Sequence, residues 1–177
     1  MKEKAQNTTG KLTEEKVKKS LEDIGLIAEK PRHDKGIDLI VSSSAIPGKG
    51  IKIQIKGRGE RPKSGRWFQV RTSPNQRDEV VKSGLHVSEA LIKKINLCDF
   101  FILVSLKHDE QWVFPKSIIH EIIKANKEKY GKRDDNQKGH QAEMNLDIAD
   151  SNGDLLRDKY SFYKNNFLLI EKELRAE

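Results

Sequence analysis

Residues 51–56 narrow the folding options of this chain more than any other stretch, because Ile51, Ile53 and Ile55 alternate there with Lys52, Gln54 and Lys56. A period of two with β-branched residues is the pattern of a strand that buries one face and wets the other. Residues 37–41, Ile-Asp-Leu-Ile-Val, carry a second strand pattern, and the turn-rich segment 42–50 with its Pro47-Gly48 dipeptide predicts a reversal between the two. An antiparallel pair then places Asp38 at the start of the first strand. On the second strand, Gln54 and Lys56 share one face, while Ile53 and Ile55 point into the core.

The remaining elements follow from the same periodicities. Residues 1–11 lack apolar periodicity and read as a flexible leader, with a single domain over 12–177. Thr13 is positioned to cap a first helix whose Val17, Leu21 and Ile24 fall on one face and which Gly25 stops. Further strands are expected at residues 67–71, at the apolar run 100–106, at 112–114 and, weakly, at 144–148. Helices are expected at 88–97, from Ser117 to about Tyr130, and at 154–174. This order of elements predicts an α/β fold, a central mixed β-sheet flanked by helices.

Charge and cysteine usage bound the partners. With 34 Lys and Arg against 27 Asp and Glu, the chain carries +7 at neutral pH, which favours polyanions without choosing among them. The single cysteine, Cys98, cannot form an internal disulfide and lies beside a mostly apolar run, as a small core residue would. Residues 1–10 have no signal-peptide h-region, and no stretch approaches the roughly 18 apolar residues of a membrane span. The expectation is a cytoplasmic protein with no membrane partner.

A carboxylate, an amide oxygen and an ammonium converging on one spot suit phosphodiester hydrolysis. That reaction needs hard oxygen ligands for Mg²⁺, which activates a water, and a cation near the water or the phosphate. Asp38 followed by Gln54-Ile55-Lys56 resembles the D and (D/E)XK of the PD-(D/E)XK nuclease superfamily, in the variant with Gln at the acidic position. Residues 34–38, Asp-Lys-Gly-Ile-Asp, are similar to a segment of Mrr-like restriction endonucleases. The resemblance is firm over residues 12–58 and loose elsewhere. Ile37 stands where the family has Pro, and Gln54 removes one negative charge from the metal site.

The resemblance implies a restriction endonuclease-like fold and a Mg²⁺-dependent endonuclease acting on DNA, with Mn²⁺ able to substitute. It implies Asp38, Gln54 through its side-chain oxygen, and the carbonyl of Ile55 as metal ligands, with Lys56 orienting the water or stabilising the pentavalent charge. It also implies an acidic residue from the first helix. Glu14 is on the Val17–Leu21 side of the helical wheel, whereas Glu15 is turned about 100° away, so Glu14 is the candidate. A restriction-type enzyme cutting duplex DNA as a homodimer is the first reading, since one site cuts one strand. A Holliday junction resolvase, a repair nuclease, or a binding module of the same fold without turnover are the alternatives.

Two further features carry paired readings. Arg58, Arg61, Lys63 and Arg66, with Trp67 and Phe68 behind them, form either a DNA-backbone contact or a solvated loop leading into a core strand. Of the two adjacent aromatics, at most one faces DNA. His33 beside Asp34 reads either as a metal partner or general base, or as a loop residue able to touch phosphate, and the other histidines lack metal-ligand spacing.

Overall fold

Five strands build the central sheet, in the order β1 (Ile27–Glu29), β2 (Leu39–Ser43), β3 (Ile46–Arg58), β5 (Phe100–Ser105) and β6 (Glu110–Pro115). β4 (Trp67–Arg71) pairs with β7 (Gln141–Asn145) in a separate antiparallel ribbon. These come from a computed structural model that describes residues 2–33, 36–60, 65–71, 87–130 and 141–176. β1, β2 and β3 run antiparallel, β3 and β5 run parallel, and β5 and β6 antiparallel, so the sheet is mixed.

The parallel step explains why residues 100–105 are so apolar. β5 lies between β3 and β6 and is buried throughout, with Phe101 and Leu103 in one core and Phe100, Ile102 and Val104 in the other. A strand covered on both faces reads as a continuous apolar run rather than an alternation. Helix α1 (Lys2–Glu22) covers one face, packing Val17 and Leu21 with Ile51, Ile53 and Ile55, and α5 (Leu168–Arg175) adds Ile170 and Leu174. The other face is covered by the β4–β7 ribbon through Phe68, Val70 and Met144. Ile95 of α2 (Val87–Asn96) and Ile119 and Ile122 of α3 (Lys116–Tyr130) complete that layer.

Several local expectations are corrected. The hairpin reverses at Ser44 and Ala45, and Pro47 and Gly48 lie inside β3, where the register shifts opposite the stretch from Val41 to Ser43. A residue without an N–H and a glycine at φ +86 suit such an irregular stretch. α1 begins at Lys2 and so takes in residues expected as a leader. Thr13 is therefore buried mid-helix, its hydroxyl donating back to the Gly10 carbonyl at 2.9 Å, rather than capping the helix.

Ile24 is exposed because the helix ends before it. Gly25, at φ +81, donates to the Glu22 carbonyl at 2.9 Å, and Leu26 donates to that of Leu21 at 3.1 Å, which closes the end in a Schellman motif. The C-terminal segment is broken rather than one helix. It divides into α4 (Leu156–Lys159), a 3₁₀ turn (Ser161–Tyr163) and α5, with Asn165 at φ +53 between the turn and α5. Asn165 docks on β6, accepting from the Gln111 N–H at 2.9 Å and donating to its carbonyl at 2.6 Å. That edge pairing outweighs helix continuity.

Candidate active site

The site forms where the β2–β3 ladder ends. The Asp38 N–H donates to the Ile53 carbonyl at 2.9 Å, and the next inward-facing N–H of β3, that of Ile55, donates to the Asp38 carboxylate at 2.5 Å. The side chain thus takes the ladder position that a further β2 residue would fill. Backbone N–H and C=O of one strand residue leave on the same edge, so the Ile55 carbonyl heads toward the same end of the ladder.

Gln54 and Lys56 lie on the opposite face of β3 from Ile53 and Ile55, as alternation requires. Gln54 is almost fully buried at 2% exposure. Its Nε2 donates to the Gly36 carbonyl at 2.8 Å, and its Oε1 has no hydrogen-bond partner among the described residues. An orphaned buried oxygen costs about 1–3 kcal/mol, so the amide is arranged to accept from something else. Gly36 makes the approach possible by adopting φ +87, a left-handed conformation that disfavours a side chain. The thiol of Cys98 also leans on the Gly36 carbonyl, at 3.7 Å. Burial pushes that thiol up to about 12, with Asp38 and Asp99 acting the same way and Lys56 and Lys52 against it. The charges of Asp38 and Lys56 thus both reach Cys98, and the thiol stays protonated.

Glu14 is the more sheltered of the two candidate glutamates, its side chain 28% exposed against 62% for Glu15. Its carboxylate pairs with Lys30 at 2.6 Å. The hydrogen bond and charge of Glu14 raise the Lys30 pKa, and Asp38 adds to the rise. α1 covers the Ile53–Ile55 face, opposite Gln54 and Lys56, and Lys30, which Glu14 holds, is the group that feels the charges of both Glu14 and Asp38. Lys30 was not legible in sequence, since residues 29–36 are polar without period.

The basic segment divides. The Arg58 guanidinium donates to the Trp67 carbonyl and stands 5.8 Å from the Trp67 ring. Trp67 is exposed and Phe68 buried, as adjacent strand residues must be. Arg66 is engaged within the fold. Its guanidinium forms a two-pronged pair with Glu110 at 2.6 and 2.9 Å and bonds Asp147 at 3.1 Å, with the side chain only 14% exposed. Arg61 and Lys63 lie outside the described residues, as do Asp34 and Lys35. His33 is exposed.

Among the described residues no three His, Cys, Asp or Glu side chains gather as a metal cage. The oxygens offered near the ladder end are instead one carboxylate, one amide oxygen without a hydrogen-bond partner among the described residues, and one strand carbonyl. This all-oxygen set fits a hard cation that keeps much of its water.

No protein-family model matches the chain, and no curated protein matches it by sequence. Among solved structures it is similar to a bacterial homing endonuclease, I-Ssp6803I, with a TM-score of 0.53 and 18% identity over 95% of this chain and 92% of that one. At that identity the likeness concerns the fold, and nearly the whole of both chains shares it.

Proposed function

We propose that the protein is a Mg²⁺-dependent DNA endonuclease of the PD-(D/E)XK type, with Mn²⁺ able to substitute. The observation that carries this reading is a buried Gln54 oxygen with no hydrogen-bond partner among the described residues, next in the chain to Ile55, whose N–H bonds the Asp38 carboxylate, with Lys56 two residues further along the same face of β3. The fold likeness to a homing endonuclease supports it, and favours duplex DNA as the substrate.

Asp38, Gln54 Oε1 and the Ile55 carbonyl would hold the ion. When bound, the ion supplies an acidified water and neutralises charge building on the phosphate. The Ile55 N–H fixes the rotamer of Asp38, and Gly36 fixes the amide of Gln54, so both oxygens are presented without reorganisation. Lys56 places an ammonium next to the attacked phosphate, orienting the water or stabilising the pentavalent charge. Arg58, Arg61 and Lys63 track the DNA backbone. A homodimer pairs two such sites across the two strands of a duplex.

Incubation with plasmid, methylated plasmid and branched DNA, each with Mg²⁺, Mn²⁺ or EDTA, tests the assignment. Cleavage of linear or circular duplex with either ion and none in EDTA is expected. Cutting confined to branched DNA would make the enzyme a junction resolvase. Binding without any cleavage would make it a non-catalytic module, and full activity in EDTA would remove the metal from the mechanism.

A further inference from the structure

Glu14 and Lys30 meet at a corner that α1, β1 and β3 build together. Thr13, next to Glu14 on α1, packs on Gly57 of β3, where an added methyl group would lie 2.6 Å from its side chain. Gly57 follows Lys56 and stands two residues beyond Ile55, so α1 crosses β3 at the end where the β2–β3 ladder stops. Lys30 arrives from the sheet edge. β1 pairs with β2 in the register Ala28↔Val41 and Glu29↔Ile40, which carries the next residue, Lys30, toward the start of β2 and Asp38. Ala28 is buried in the core under α1, and alternation turns Lys30 to the same side.

Two carboxylates and one ammonium therefore share this corner. Lys30 bonds the Glu14 carboxylate at 2.6 Å, and the charge of Asp38 also reaches it. Glu15 acts on Lys30 more weakly and has its own partner in Lys11, at 4.0 Å. The Lys30 side chain is 73% exposed. A pair this exposed adds little to stability, so its consequence is local charge. Without Lys30, Glu14 and Asp38 would set two negative charges at the end of the ladder, the setting that draws a pair of divalent ions. With Lys30 in place the three side chains sum to a single negative charge.

We propose that Lys30 is a positioning residue of the metal site: by holding Glu14 it keeps that carboxylate from taking a divalent ion of its own and leaves the site with a single ion at Asp38. The inference rests on the nuclease reading above. A lysine ammonium is a compact point charge with three donors, suited to stand where a second cation would otherwise sit. Gln54 fits the same charge balance. Its amide offers an oxygen without a charge, so the donors beside Asp38 suit one divalent ion rather than two.

The competing account is that Lys30 merely ties the end of β1 to α1. Mn²⁺ is titrated into wild type, Lys30→Gln, Lys30→Arg, Asp38→Ala and the double variant Lys30→Gln with Glu14→Gln, and bound ion is counted by electron paramagnetic resonance. Thermal melting without metal runs alongside. Wild type is expected to take one ion, which Asp38→Ala loses, and Lys30→Gln to take a second. Lys30→Arg and the double variant return to one. A second ion in wild type, or a single ion in Lys30→Gln whether or not its melting temperature falls, overturns the Lys30 assignment alone. A second ion that persists in the double variant binds away from Glu14 and overturns it too. The absence of any Asp38-dependent ion in wild type overturns the metal reading and this one together.

Discussion

Gln54 shows how much of a site one alternating hexapeptide can carry. Period two alone puts Gln54 and Lys56 on one face, and the hairpin brings Asp38 to the neighbouring strand, so these strand positions were legible before any fold was known. The role of Arg66 was not. Its partners Glu110 and Asp147 stand 44 and 81 residues away, and a basic residue beside other basic residues looks like a surface charge until those carboxylates are in place. Glu14 falls between the two cases. The helical wheel puts it on the Val17–Leu21 side, and it is the more sheltered of the two glutamates, but the wheel could not show that Lys30 would be its partner. Glu14→Gln is expected to slow cleavage by roughly ten- to a hundred-fold, the usual loss when a residue behind the ligands is removed, and Glu15→Gln to change it little. Single-turnover rates on one duplex substrate check this. Equal tolerance of both would detach α1 from the chemistry.

α1 is held at a fixed height over β3 by contact rather than by charge. At Gly57, directly after Lys56, an added methyl group would lie 2.6 Å from both Oγ1 and Cγ2 of the buried Thr13. Helix and strand backbones meet there, and the glycine is needed for its missing side chain. Gly57→Ala should therefore lift the helix and destabilise the protein by about 1–3 kcal/mol, a typical cost of overpacking, and Thr13→Ser in the same chain should recover part of it. Chemical denaturation of the single and double variants measures the effect. A Gly57→Ala variant as stable as wild type would contradict the contact. The helix itself was legible from Val17 and Leu21, but its start was not, because residues 2–11 form helix without the apolar spacing that announces one. The C-terminal segment misled for the opposite reason: aromatic spacing suggested one helix, while the unpaired edge of β6 captured Asn165.

The β4–β7 ribbon is tied to the central sheet by an ion-pair network. Arg66, at the entry to β4, bonds Glu110 of β6 and Asp147 after β7, and Lys164 closes on Glu110 at 2.8 Å. Burial opposes ionising Glu110, but the hydrogen bonds from Arg66 and Lys164 outweigh it and hold the carboxyl down at about 2, from an ordinary 4.5. Burial likewise opposes Asp147, and bonds from Arg66 and Arg157 overcome it. A depressed carboxylate stabilises the fold above its unfolded pKa, and that contribution is lost as pH falls through the folded value. Melting temperature should thus decline from about pH 4.5 toward pH 2 as Glu110 protonates. Glu110→Gln should be less stable at neutral pH by about 3–5 kcal/mol, the cost of stranding a buried partner, and should show a shallower acid decline. Parallel acid curves for variant and wild type would contradict this.

The overall arrangement, a mixed sheet with helices on both faces, was readable from the order of periodic segments. The separation of β4 and β7 into their own ribbon was not, because strand pairing is decided by tertiary contacts rather than by strand pattern. The claim on which everything turns is that the ladder end holds a metal for cutting DNA. Asp38→Ala tests it most directly, measured as duplex cleavage with Mg²⁺ alongside duplex binding in EDTA. The expected result is cleavage abolished and binding retained, because the carboxylate serves the ion more than the DNA. Cleavage by Asp38→Ala at the wild-type rate would contradict the account.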